Sequence, residues 1–152
     1  MRNHSPRILA VCLGNICRSP IAHGLLIHHA KKMGVNVEID SAGTISNHAG
    51  SPPDPRSIEI MNRKNHDISS QRSRTVKHKD FEYYDLILAM DKNNYEDLHS
   101  MAKTDSQKSK IHLILPHEGE VPDPYYGGIN GFESVYKMLD EAIPEWLNQG
   151  DG

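Results

Sequence analysis

Cys12 and Arg18 close the two ends of one short stretch, C-L-G-N-I-C-R-S, with five residues between the thiol and the guanidinium. Arg18 falls where a helix should begin, because Ser19-Pro20 leads into I-A-H-G-L-L-I-H-H-A-K-K. A cation in a first turn opposes the helix dipole, which implies an anion in front of it. Gly14 and Asn15 are the residue types best able to take positive φ and turn successive N–H groups toward one centre. The helix start adds further N–H donors. The arginine adds a planar fork that can hold two phosphate oxygens together. Cys12 would lie at the floor of this cradle, where donors that bind phosphate equally favour a thiolate, the nucleophilic form of cysteine. A thiolate facing a bound phosphorus is an in-line nucleophile. Each residue alone has a plainer reading: the cysteine as a small buried hydrophobe, the arginine as a solvated side chain. Their conjunction favours the chemistry.

A strand must deliver Cys12 and a helix must carry Arg18. Short apolar runs at 7–12, 36–41, 84–90 and 110–115 read as strands. Helical patterns lie between them: 18–33 ending at Gly34, a second from Asp54-Pro55, a short one around Phe81, one capped by Asp91 and running to about Met101, and a last one over 131–147. Alternating strands and helices imply an α/β fold, a small doubly wound four-stranded parallel sheet of order 2-1-3-4 with helices on both faces. Ligands bind such sheets beyond the carboxyl ends of the strands, where the order reverses, and the loop after the first strand lies there. The stretches 43–55 and 116–130 are expected to be the longest loops, and long loops in compact domains are often functional.

Composition narrows the class. A chain of 152 residues suits one domain, expected to span 1–152. With 37% hydrophobic and 24% charged residues it has an ordinary globular balance. A net charge of −3 gives no basic field for nucleic acid, and no apolar run is long enough to span a membrane. The apolar segment near the N-terminus is too short for a signal peptide. Two cysteines do not make a disulfide framework, so the expected location is a reducing cytoplasm, with export by a non-classical route as the alternative. Among the ten histidines no spacing completes a ligand set; neither a metal nor a cofactor is expected.

Three further residues bear on the chemistry. Asp123, between Pro122 and Pro124, is an acid on a restricted backbone, or else a solvated loop carboxylate. Tyr125 and Tyr126 read as packing aromatics. Cys17 is either core packing at the helix start or a second thiol that captures an oxidised Cys12 as a disulfide.

The stretch V-C-L-G-N-I-C-R-S-P resembles the signature of the low-molecular-weight protein tyrosine phosphatases. Asp40-Ser41-Ala42-Gly43-Thr44, Pro53-Asp54-Pro55-Arg56, Ala89-Met90-Asp91 and Asp123-Pro124-Tyr125-Tyr126-Gly127 follow in the family's order over nearly the whole chain. The resemblance implies a phosphotyrosine hydrolase with a cysteinyl-phosphate intermediate. Cys12 is then the nucleophile, Arg18 the phosphoryl clamp and Asp123 the general acid. The phosphate-binding loop would be Leu13, Gly14, Asn15, Ile16, Cys17 and Ser19, with Ser19 bonded to the thiolate. It further implies an Asn15 held in a left-handed conformation, with Ser41 among its supports and Gln71 where some relatives carry a histidine. Tyr125 would wall the substrate ring. Asn47 stands where relatives often carry an aromatic residue. The partners implied are phosphotyrosine proteins, a tyrosine kinase among them, met by a monomer or a weak dimer.

Two rival enzymes share such a loop. Arsenate reduction passes oxidising equivalents to further cysteines, and none follows Cys17. A phosphoarginine phosphatase of the same family typically has threonine in the place of Ile16. A phosphate-binding module without turnover would need neither Cys12 nor Asp123.

Overall fold

The computed structural model describes residues 5–149; the expected domain limits 1–152 include residues 1–4 and 150–152, outside that range. Strand β1 (Arg7–Cys12) is followed by helix α1 (Arg18–Met33), β2 (Glu38–Gly43), α2 (Pro55–Arg63), α3 (Asp80–Tyr83), β3 (Leu86–Ala89), α4 (Lys92–Met101), α5 (Asp105–Lys108), β4 (Ile111–Leu113) and α6 (Ile129–Gln149). The strands form one parallel sheet in the order β2-β1-β3-β4. This is the expected topology.

Side chains of β1 alternate between two cores, as the two-residue period of a strand requires. Ile8, Ala10 and Cys12 face a cluster built with α1, α2 and α6, which includes Leu25, Met61, Phe132 and Leu139. Leu9 and Val11 face the other side, against Phe81 of α3, Tyr84 just after it and Leu98 of α4. Helices therefore cover both faces of β1, and its carboxyl end emerges where β2 and β3 diverge. Helix α1 stops at Gly34, whose φ of 72° few other residues accept. Asp54 caps α2 through the Arg56 N–H, and Asp91 caps α4 through the Asn94 N–H.

Several expectations are corrected. Strands β3 and β4 are shorter than the expected 84–90 and 110–115, covering Leu86–Ala89 and Ile111–Leu113. Strand β2 begins and ends two residues later than 36–41, because Ala42 and Gly43 pair with Val11 and Cys12. Helix α5, capped by Thr104, was not foreseen. The connection 64–79, between α2 and α3, is longer than the two loops expected to be longest. It crosses the sheet's carboxyl end: Gly43 N–H donates to Arg74 O, Val76 N–H donates to Gly43 O, and Thr75 bridges Gly43 in parallel.

Candidate active site

Beyond β1 lies a cleft of about 240 Å³ lined by Cys12, Leu13, Gly14, Ile16, Cys17 and Arg18 on one side. Ile45, Asn47, His48, Asp123, Tyr125 and Tyr126 line the other. Among the described residues, the backbone N–H groups from Leu13 to Cys17 meet no protein acceptor. Asn15, Ile16 and Cys17 are buried and Leu13 is exposed; buried N–H groups are rarely left unpaired, so a run of such donors at the cleft suits an anion. Cys12, 2% exposed, sits at its floor with Sγ 3.1 Å from Ser19 Oγ.

Asn15 holds the loop's shape. Its φ is 58°, its Nδ2 donates to Ser19 Oγ at 2.6 Å, and its Oδ1 accepts the Arg74 N–H at 3.1 Å. Gly14 does not share the positive φ expected of it. It provides room instead, since a Cβ there would lie 2.9 Å from His48 Cδ2. Gly43 does the same from β2: a Cβ on it would stand 2.7 Å from the Leu13 carbonyl oxygen.

Ser41 and Gln71, expected around Asn15, hydrogen-bond elsewhere. Ser41 Oγ pairs with His23 Nδ1 at 3.0 Å, and Gln71 Nε2 donates to Pro20 O at 3.3 Å. Burial lowers the His23 pKa, with Asp40 opposing, so a neutral imidazole stands behind the loop. The backbone of Arg74 has taken the position at Asn15 that a side chain was expected to fill.

Arg18 is 2% exposed, and its cation is met by protein carboxylates. Nη1 donates to Asp91 Oδ2 at 2.6 Å and to Val121 O at 3.0 Å, while Nη2 lies 3.9 Å from Asp123 Oδ2. Burial alone would lower the guanidinium pKa; Cys12, Asp91 and Asp123 outweigh it and hold the charge firmly. Asp91 is the functional residue the sequence reading missed. It was visible as a helix cap and as part of the Ala89-Met90-Asp91 motif, without a site role, and one carboxylate does both tasks, Oδ1 accepting from the Asn94 N–H and Oδ2 from the arginine.

Asp123 belongs to the connection between β4 and α6. Its side chain is 44% exposed, and Oδ1 accepts the Tyr125 N–H at 3.0 Å. Tyr125 is partly covered and Tyr126 almost bare. Arg56 ties this connection down: Nη1 donates to Gly127 O at 2.9 Å, and its guanidinium carbon lies 5.6 Å from the Tyr125 ring centre. Across the cleft Asn47 brings no ring, but His48 beside it does, 6.4 Å from the Tyr125 ring. Cys17 is buried, and its thiol donates to Asp54 Oδ2 at 3.9 Å.

The model of the low molecular weight phosphotyrosine protein phosphatase family matches residues 7–150. A low molecular weight phosphotyrosine protein phosphatase of Schizosaccharomyces pombe is 36% identical, over 93% of this chain and 94% of its own. One from Mus musculus is 38% identical, over 95% and 96%. The crystal structure of a protein tyrosine phosphatase from Entamoeba histolytica superposes with a TM-score of 0.90 at 35% identity, covering 97% of this chain and all of that one.

Proposed function

We propose, for a chain that belongs to the low molecular weight phosphotyrosine protein phosphatase family, that it hydrolyses phosphotyrosine in proteins through a cysteinyl-phosphate on Cys12. One observation carries this reading: the Cys12 thiol lies at the floor of a cleft whose loop N–H groups from Leu13 to Cys17 have no protein acceptor. A phosphate dianion seated there meets those donors and the Arg18 fork, with its phosphorus toward Cys12 Sγ. The sulfur attacks, and the bond to the phenolic oxygen lengthens. Asp123, at the mouth and within 3.9 Å of Arg18, gives its proton to the departing oxygen. A tyrosyl oxygen needs that proton because the phenol's pKa is ~10. Ser19 Oγ, 3.1 Å from Cys12 Sγ, stabilises the sulfur as a leaving group when water releases phosphate in the second step.

Leu13, Ile16, Ile45 and Tyr125 give the cleft an apolar lining, with the His48 ring across from Tyr125, which supports an aryl ring above the phosphate. The substrates in this reading are phosphotyrosine proteins, a tyrosine kinase among them. Among the described residues no helix is long and apolar enough to cross a membrane.

The test is release of phosphate from matched phosphotyrosine and phosphoserine peptides, with Cys12→Ser as the control. The expected result is turnover of the phosphotyrosine peptide alone, abolished by Cys12→Ser while phosphate still binds. A Cys12→Ser protein with a tenth of the original activity would exclude covalent catalysis through this thiol. Binding of the peptide without turnover by the unaltered chain would favour a recognition module instead.

A further inference from the structure

We propose that Asp54 acts as a brake on the second cysteine: it keeps Cys17 in the thiol form, so that a Cys12 oxidised by hydrogen peroxide closes onto Cys17 only slowly. The proposal rests on the reading of Cys12 as the reactive thiolate. Cys17 occupies the N-cap position of α1, yet its side chain does not cap that helix. It is 4% exposed, and its S–H is directed to Asp54 Oδ2 at 3.9 Å. The surroundings hold it there, since Ser57 Oγ donates to Cys17 O at 3.1 Å and the Asp54 N–H donates to Ile16 O at 2.8 Å. Asp54 is itself 8% exposed. Arg56 grips it at both oxygens, Nε on Oδ1 at 3.0 Å and Nη2 on Oδ2 at 2.9 Å.

A buried carboxylate touching a thiol can act in two ways. As a base it would take the proton and speed attack by sulfur. As a fixed negative charge it would penalise the thiolate and slow attack. The site favours the second. Burial pushes the Cys17 thiol up, and Asp54, Cys12 and Asp123 push it further, with Arg56 alone opposing. Burial would raise Asp54 too, but its bonds from Arg56 outweigh that and hold it low. Proton transfer from Cys17 to Asp54 therefore runs steeply uphill, and only the charge remains to act.

The chemistry has two steps. In the first, the Cys12 thiolate attacks one oxygen of hydrogen peroxide, the O–O bond breaks, and a sulfenic acid and hydroxide form; sulfur is oxidised by two electrons and peroxide reduced. In the second, the Cys17 sulfur displaces the sulfenic hydroxyl. The S–S bond forms as the S–O bond breaks, and the Cys17 proton leaves with the hydroxyl as water. Asp54 bears on the second step alone.

Asp54→Asn removes the charge and keeps a residue that caps helices equally well. After a pulse of hydrogen peroxide, dimedone would trap the sulfenic acid and mass spectrometry would follow the disulfide, in the unaltered chain, Asp54→Asn and Cys17→Ser. The gain in thiolate exceeds its loss of intrinsic nucleophilicity, so Asp54→Asn should close the disulfide a few-fold faster, with the rate of sulfenic acid formation little changed. Asp54→Ser also removes the charge and keeps a capping oxygen; it should speed closure as well, giving a second test should Asp54→Asn not fold. Closure at the original rate or slower in Asp54→Asn, or in Asp54→Ser should Asp54→Asn not fold, would overturn the brake. Inactivation without dimedone at Cys12 in Cys17→Ser would sink the nucleophile reading itself, and the brake with it.

Discussion

Arg18 and Asp123 come within 3.9 Å of each other, yet they belong to two different kinds of structure. The phosphate loop and the start of α1 are part of the core: Cys12, Asn15, Arg18 and Ser19 are all 3% exposed or less. The connection that bears Asp123 is a surface feature, rooted at Val121 through its N–H on Met90 O and its carbonyl on Arg18. Beyond that root, Arg56 on the Gly127 carbonyl holds it at the far end. The difference matches the two tasks of the proposed reaction. Holding a phosphate needs many donors fixed before the ligand arrives, because their ordering then costs nothing during the reaction. Protonating a departing group needs one acid at the mouth, where substrates enter and leave.

The comparison breaks most visibly at Arg18. Arg18→Lys leaves a cation but cannot hold Asp91 and Val121 while presenting two donors to a phosphate. Turnover and phosphate affinity should fall together, by roughly 10²-fold or more, the scale for one preorganised donor. Inhibition by inorganic phosphate alongside kcat/KM measures both. A fall in turnover with phosphate affinity intact would remove Arg18 from the binding role.

A smaller effect sharpens the claim that the cradle is rigid. In Gly43→Ala the new methyl would stand 2.7 Å from a backbone oxygen of the phosphate loop, which no rotamer change relieves. Overpacking of this kind typically costs about 1–3 kcal/mol. Denaturant midpoints should drop accordingly, and phosphate affinity should weaken as the loop shifts. A variant of unchanged stability and affinity would mean that the loop yields easily.

Much of this was legible in the chain, and the gaps have physical reasons. Strand β1 and helix α1 have the expected bounds because a continuous apolar run and a glycine stop are local signals. The sheet order followed from the alternation of strands and helices. Gly43 read as the start of a loop because glycine usually marks a turn; here it marks a strand lying against a loop, a matter of distance in space. The contacts of Asp91, Arg74 and His23 were invisible for the same reason, since each reaches its partner across 18 to 73 positions of sequence. The resemblance supplied Asn15's conformation and placed Ser41 beside it. Beside Ser19, the fold gave the support of Asn15 to the Arg74 backbone N–H, which no side-chain pattern encodes.

The division of labour between cradle and acid is tested most directly by the leaving group. Asp123→Asn should be assayed on two aryl phosphates, one releasing a phenol as weak as tyrosine and one a strongly acidic nitrophenol. Charge builds on the leaving oxygen in a loose transition state, and general acid catalysis is worth about 10²–10⁴ in rate. A loss in that range is expected for the poor leaving group, with a much smaller loss for the good one and unchanged inhibition by phosphate. Equal losses on both would contradict the account, and would make Asp123 a residue that positions Arg18 or the connection rather than the donor of the proton.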